Sequence, residues 1–140
     1  MESNFSIFLK EFVLFLIPFL LGSLIFFSII VAPNTFSSLD KASARKFIRS
    51  IFPKIYFWGI IVSLIIFIIL IVLKDYFYAL LFFLIFLGYF YSRNFLIKKI
   101  NRASDRKTKK SENEFRFLHK LSVSIFGLQI IIMIFVYFNF

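Results

Sequence analysis

The polar residues best placed to do chemistry lie at helical spacing in one segment near the end of the chain. His119, Ser122 and Gln129 fall on one side of a helix of 3.6 residues per turn, together with Phe126 and Met133. An imidazole titrates near neutral pH, so His119 could move a proton or contact a ligand on an inward-facing polar face. The alternative is structural: an interfacial histidine bonded to a loop carbonyl. The sequence leaves both open.

A catalytic set is missing from the sequence. The chain contains no cysteine, one histidine and seven acidic residues, and no glycine-rich phosphate loop. None of the acids falls inside a long apolar run. A single histidine without cysteine also argues against an intrachain haem or copper site. We therefore predict a protein that is not an enzyme and that carries no cofactor and no metal.

Four long apolar runs must position these residues. Hydrophobic residues make up 61% of the 140 residues, and 24 residues are phenylalanine, which is more apolar surface than a soluble domain of this size buries. Because about 20 apolar residues cross a bilayer, we predict transmembrane helices over about residues 12–32, 55–73, 76–97 and 116–138. The predicted fold is all-α, an integral membrane four-helix bundle that forms a single domain over residues 1–140.

The connection between the first two runs is amphipathic. The Val-Ala-Pro-Asn-Thr-Phe segment at residues 31–36 should close the first helix, and Ser37, Ser38 and Asp40 offer N-cap and first-turn chemistry for a new one. Basic residues then follow every four positions: Lys41, Arg45 and Arg49. We predict a separate connector helix along the membrane surface with this stripe on anionic lipid head groups. A solvated connector is the alternative, and Pro53 should lie in the first turn of the next helix.

Positive charge concentrates in two connecting segments. Residues 34–54 contain five Lys/Arg and residues 93–120 contain ten, while the N-terminal segment and the turn at residues 74–75 contain one each. Because Lys/Arg-rich loops stay in the cytoplasm, four spans place both termini outside. We predict a multi-pass protein of the cell membrane, in the simplest case the bacterial inner membrane. The net charge of +10 lies in these blocks, which indicates anionic lipid and not nucleic acid as partner.

The second basic segment should fold back on itself. An S-x-x-E capping box at Ser111 predicts the start of the fourth helix. Such a return of the chain would bring the third helix's basic extension close to His119. We therefore treat Asn101, Arg102 and Asp105 as candidate loop partners of the histidine.

Each predicted span contains one glycine. Gly59-x-x-x-Ser63 and Gly88-x-x-x-Ser92 have the spacing of small residues that lets helix backbones approach closely in lipid. Packing of neighbouring helices is the role we expect for these glycines.

Two groups of residues carry a resemblance to a known family. The first surrounds the end of the first span and the start of the second: Gly22, Pro33, Phe36 and Pro53. The second forms N-x-x-x-D and L-H-x-x-S elements: Asn101, Asp105, His119 and Ser122. In these features the chain resembles the small four-span membrane proteins typified by transmembrane protein 205, a domain of unknown function in bacteria. It departs from that pattern at Phe126, where many members have Asn.

The resemblance implies a four-helix membrane domain without an established molecular activity. A remoter similarity to the copper-resistance protein D and haem-binding protoporphyrinogen oxidase group concerns architecture only. Our leading hypothesis is a non-enzymatic accessory, stress-tolerance or small transport protein. The alternatives are a haem-dependent membrane oxidoreductase, with His119 as one axial ligand, and an anionic-lipid-binding scaffold. A homo-oligomer is compatible with each of them.

Overall fold

Four long helices make up almost all of the chain. A computed structural model describes residues 3–140. Its helices are α1 (Asn4–Ser38), α2 (Lys41–Val72), α3 (Tyr76–Arg106) and α4 (Lys109–Asn139), and residues 3–140 contain no strand. Each helix is long and apolar enough to cross a membrane. The predicted all-α class and the four helices are therefore confirmed, while the limits of the membrane spans stay a prediction.

The helices form a ring in which each contacts its two neighbours. α1 packs against α2 and α4, and α3 packs against the same two helices, with the most extensive contact between α2 and α3. A short connection, in which Lys74 is left-handed (φ 64°), makes α2 and α3 antiparallel neighbours as predicted. All four helices contribute to the core, where Leu20, Ile66, Phe82 and Met133 are completely buried.

The outer surface of the ring carries large apolar side chains. Phe8, Phe15, Phe77 and Phe138 are among those that are more than half exposed. A continuous apolar surface of this kind is unfavourable in water, but it suits the hydrocarbon of a bilayer. The four helices together indicate a multi-pass membrane protein.

α1 continues past the point where the sequence predicts its end. The Val-Ala-Pro33 segment does not close the helix, which runs on to Ser38. A π-helical turn at Phe27–Val31 precedes the proline, and this wider turn relieves the clash between a proline ring and the carbonyl four residues earlier. The Asn34 side chain then donates from Nδ2 to Ile30 O at 2.9 Å. The prediction of a helix end here is wrong because turn geometry and side chains compensate for the proline.

The predicted connector is the first part of α2 and not a separate helix. Asp40 caps α2 by accepting a hydrogen bond from the Ser43 N–H (3.2 Å), and the helix runs unbroken over Lys41–Val72. Pro53 therefore lies inside a helix and not in a first turn. Membrane helices tolerate such a proline when a neighbour stabilises the local backbone. Arg93 of α3 contacts this part of α2, where its Nε donates to Pro53 O at 3.2 Å.

The N-cap of α4 lies three residues before the predicted one at Ser111. Thr108 is the N-cap, because its Oγ1 accepts from the Ser111 N–H (3.1 Å) while Ser111 Oγ accepts from the Thr108 N–H (2.9 Å). Lys107 has a left-handed backbone (φ 51°) and ends α3. Thr108 follows directly as the N-cap of α4, so the two helices are joined by a tight turn. α3 and α4 then pack together through a small second core: Leu96, Ala103 and Leu118.

Candidate functional site

Both basic segments lie at the same end of the bundle. α2 and α3 contain 32 and 31 residues, which at 1.5 Å per residue is about 46–48 Å of helix. The hydrocarbon of a bilayer is about 30 Å thick, so one end of each helix extends beyond an apolar span. The basic start of α2 and the basic end of α3 extend side by side, because Arg49 contacts Asp105.

Arg49 and Asp105 form a bidentate ion pair between α2 and α3. Arg49 Nη2 lies 2.6 Å from Asp105 Oδ1, and Arg49 Nη1 lies 3.2 Å from Asp105 Oδ2. Nη2 also donates to the backbone O of Asn101 at 3.4 Å. Two parallel bonds fix the direction of both side chains. We call this contact the Arg49–Asp105 clamp.

The carboxyl group of Asp105 lies in a positive field. The hydrogen bond from Arg49 lowers the pKa of Asp105, and the charges of Arg49, Arg45 and Lys107 lower it further. Asp105 lies beyond the apolar part of α3, in the basic extension. Its carboxylate is therefore negative throughout the physiological pH range.

A depression on the surface of α2 is lined largely by cations. Its lining residues, which we call the basic groove, are Lys41, Ala42, Arg45, Lys46, Arg49 and Ser50. The side chains of Lys41, Arg45 and Lys46 are exposed, and Arg49 is half-buried by its clamp with Asp105. The three predicted head-group residues thus share one surface with Lys46, which the four-residue spacing does not include. Four cations beside one carboxylate make this surface suited to an anion.

The buried amide of Gln129 joins α4 to α3. Gln129 Nε2 donates to Ile85 O at 2.9 Å, and the side chain is 4% exposed. Gly88 leaves the necessary space, since a Cβ at this position would lie 2.7 Å from Gln129 Nε2. Interhelical hydrogen bonds of this type hold membrane helices together.

The other members of the predicted polar face lie elsewhere on α4. The His119 side chain is exposed, and its ring stacks on Phe115 with ring centroids 5.9 Å apart. Ser122 is half-buried, and its Oγ donates within the helix to His119 O at 2.8 Å. His119 follows the buried Leu118 and is therefore turned by about 100° from the inward face. The structure does not bring His119, Ser122 and Gln129 into one site.

Two of the three candidate loop partners contact α2, and none of the three forms a hydrogen bond with His119 within residues 3–140. Asn101 and Asp105 both contact Arg49, and Arg102 is exposed. Sequence reasoning missed this contact because nothing in the local pattern joins residues more than fifty positions apart. The available signal was the four-residue spacing of Asn101 and Asp105, which places them on one face of α3.

Tyr89 is the second feature that the sequence did not reveal. Its side chain is completely buried on α3, and its ring centroid lies 6.3 Å from that of Tyr56 on α2. Tyr89 Oη is buried and has no hydrogen-bond partner within residues 3–140. On the other side of α2, Trp58 Nε1 donates to Ser23 Oγ of α1 at 3.1 Å. Polar side chains thus join each helix of the series α1 to α4 to the next, whereas the Tyr89 hydroxyl takes part in none of these contacts within residues 3–140.

The motif residues around the first connection do not form a shared site. Gly22 has no atom within 4 Å of an added Cβ, and Phe36 is 64% exposed. Pro33 follows the π-helical turn of α1, and Pro53 contacts Arg93. Within residues 3–140, no group of three His, Cys, Asp or Glu is placed to hold a metal ion.

Comparison with known proteins yields a family and no close relative. A search of the curated proteins finds no match, and neither does a search of the solved structures. A family model described as "Domain of unknown function (DUF4149)" matches residues 15–109, a range that includes most of α1, all of α2 and α3, and the basic groove. The narrower likeness to transmembrane protein 205 stays a prediction. Because the match extends over more than half of the chain, the protein belongs to the DUF4149 family of domains of unknown function.

Proposed function

We propose that the protein is a non-enzymatic accessory protein of the cell membrane that binds anionic lipid head groups at its basic end. The observation that carries this proposal is the basic groove, where Lys41, Arg45, Lys46 and Arg49 line one depression on α2. These cations belong to a helix whose later part is apolar enough to span a bilayer. The groove therefore lies where lipid phosphates would be met.

Charge accounts for the preference of such a groove for anionic lipid. Each Lys or Arg near an anionic membrane surface contributes about 1 kcal/mol to the attraction. Three of the four cations in the groove are exposed, and Arg49 is paired with the carboxylate of Asp105. Zwitterionic lipid lacks the net charge that this surface would attract.

The proposal includes an orientation. If Lys/Arg-rich segments stay in the cytoplasm, the basic groove faces the cytoplasmic leaflet, and both chain termini face outside. The cytoplasmic leaflet carries the anionic lipids that the groove would bind. Orientation and ligand thus support each other within the proposal.

The test compares lipids at the protein surface. The full chain is reconstituted in nanodiscs, and the retained fraction of spin-labelled phosphatidylglycerol is compared with that of spin-labelled phosphatidylcholine. We expect phosphatidylglycerol to be retained preferentially, and less so at 1 M salt, where the Debye length falls to about 3 Å. The triple variant Lys41→Gln/Arg45→Gln/Lys46→Gln should lose the preference.

A matched control separates the groove from general positive charge. Lys74→Gln removes a cation from the opposite end of the bundle and should leave the preference unchanged. Equal retention of the two lipids by the unmodified protein would refute lipid binding as the function. Equal loss in the Lys74 variant and in the triple variant would refute the groove as the site.

A further inference from the structure

We infer that a lipid phosphate takes the place of the Asp105 carboxylate at Arg49, so that lipid binding in the basic groove opens the clamp between α2 and α3. This inference rests on the proposed function and specifies how the groove would hold its ligand. In this inference, the Asp105 carboxylate competes with the lipid phosphate for Arg49.

The geometry of the clamp supports the exchange. Asp105 presents two oxygens to the two terminal nitrogens of Arg49, at 2.6 and 3.2 Å. A lipid phosphodiester also carries two unesterified oxygens, and a guanidinium binds either group in the same forked manner. Since Arg49 lines the basic groove, Asp105 occupies the anion position at its edge.

The exposure of the clamp makes the exchange energetically accessible. The side chains of Arg49 and Asp105 are 31% and 54% exposed, so water reaches the ion pair and makes it weaker than a buried pair of the same geometry. The other bond from Arg49 to α3, to Asn101 O, is long at 3.4 Å. A phosphate that is concentrated at the membrane surface can therefore compete for Arg49.

The end of α3 has other support when the clamp opens. Its residues Leu96 and Ala103 pack against Leu118 of α4. The basic extension of α3 would therefore stay on α4 and move away from α2 as a unit. Lipid binding would change the separation of α2 and α3 at this end of the bundle without unfolding either helix.

The first experiment removes the competing charge. Asp105→Asn keeps the shape of the side chain and leaves four uncompensated cations at the groove. We expect retention of spin-labelled phosphatidylglycerol to rise about fivefold, which corresponds to about 1 kcal/mol. Glu114→Gln is the matched control, because it removes one negative charge at the same end of the bundle, where Glu114 lies 3.8 Å from Arg106. It should change retention little.

The second experiment measures the separation of the helices. The chain contains no cysteine, so Phe47→Cys, at a position exposed on α2 outside the groove lining, and Arg102→Cys introduce one spin label on α2 and one on α3. We expect a longer distance between the labels in nanodiscs with phosphatidylglycerol than in pure phosphatidylcholine. Adding Asp105→Asn should give the longer distance in both lipids.

The outcomes distinguish this inference from the proposed function. If the unmodified protein prefers phosphatidylglycerol but Asp105→Asn binds it no better than Glu114→Gln does, Asp105 does not compete and the inference is wrong. If the distance between the labels is the same in phosphatidylglycerol and phosphatidylcholine nanodiscs, the inference is wrong as well. If inorganic phosphate in phosphatidylcholine nanodiscs lengthens the distance, the ligand is a free anion, and the assignment to lipid is overturned. Absence of any lipid preference would instead reject the proposed function itself.

Discussion

The ring of Tyr89 lies directly against the backbone of Gly59. A Cβ built on Gly59 would stand 2.9 Å from three carbon atoms of this ring. The two residues belong to α3 and α2, the pair of helices with the most extensive contact in the bundle. The close approach of these helices therefore depends on a glycine that receives an aromatic ring.

Gly59→Ala should destabilise the bundle. The Tyr89 ring is completely buried and cannot move aside without disturbing its surroundings, so overpacking should cost about 1–3 kcal/mol. Gly22→Ala is the matched control, because an added Cβ at Gly22 meets no atom within 4 Å. Thermal unfolding in detergent should show a lower midpoint for the first variant and an equal or higher one for the second. Equal midpoints for the two variants would contradict the packing.

Tyr89→Phe should stabilise the protein. Tyr89 Oη is buried without a hydrogen-bond partner within residues 3–140, and an unsatisfied buried polar group costs about 1–3 kcal/mol. Removing the hydroxyl while keeping the ring should raise the unfolding midpoint by about 3 °C for each 1 kcal/mol gained. Tyr91→Phe changes an exposed tyrosine on the same helix and should have no effect. A lower midpoint for Tyr89→Phe would show that the hydroxyl does have a partner.

The sequence predicts the class of fold but not where its helices begin and end. Composition and the length of the apolar runs are enough for four membrane helices, because each depends on local content alone. The limits of α1 and α2 depend on how Pro33 and Pro53 are accommodated. The structure shows a π-helical turn just before Pro33, and a hydrogen bond from Arg93 of a neighbouring helix to Pro53 O. A pattern within one helix contains neither fact.

The sequence likewise predicts one part of the candidate site and not another. The spacing of the basic residues on α2 indicates a common face, and the structure places them in one groove. The position of His119 was not predictable from spacing, because a residue at the edge of a helix face turns inward or outward according to its neighbours. Leu118 takes the inward place, and His119 stacks on Phe115 outside.

Gln129→Leu should weaken the contact between α4 and α3. The variant keeps the approximate volume of the side chain but loses the bond from Nε2 to Ile85 O, and interhelical bonds of this type contribute about 0.6–1.7 kcal/mol. Ser122→Ala removes a polar group of the same helix whose bond stays within α4, so its midpoint should change less. If both variants unfold at the midpoint of the unmodified protein, Gln129 does not hold the two helices together.

Without anionic lipid, the Arg49–Asp105 clamp should open only in acid. Hydrogen bonding to Arg49, with the charges of Arg45 and Lys107, lowers the pKa of Asp105 below its usual 3.8. A carboxyl group with a lowered pKa stabilises the folded arrangement above its unfolded pKa, and this contribution disappears as the pH falls through the folded pKa. The clamp should therefore be intact at neutral pH and open below pH 3.8.

Spin labels at Phe47→Cys and Arg102→Cys provide the measurement for this pH dependence. In phosphatidylcholine nanodiscs the distance between them should stay constant as the pH falls to about 4 and lengthen below that, at a pH under the usual carboxyl pKa. With Asp105→Asn the distance should not depend on pH in this range. A transition well above pH 4 would show that Asp105 does not control the separation.

The orientation of the bundle can be tested with single cysteines, because the chain has none of its own. Ser38 lies at the basic end, where α1 meets α2, while Asn139 lies at the opposite end, where its backbone O accepts from Tyr78 Oη at 2.7 Å. Since positive segments stay inside, a membrane-impermeant maleimide should label Asn139→Cys in intact cells. It should label Ser38→Cys only after permeabilisation, and the unmodified chain should stay unlabelled throughout. Labelling of Ser38→Cys in intact cells would place the basic groove outside and remove the cytoplasmic leaflet as its source of ligand.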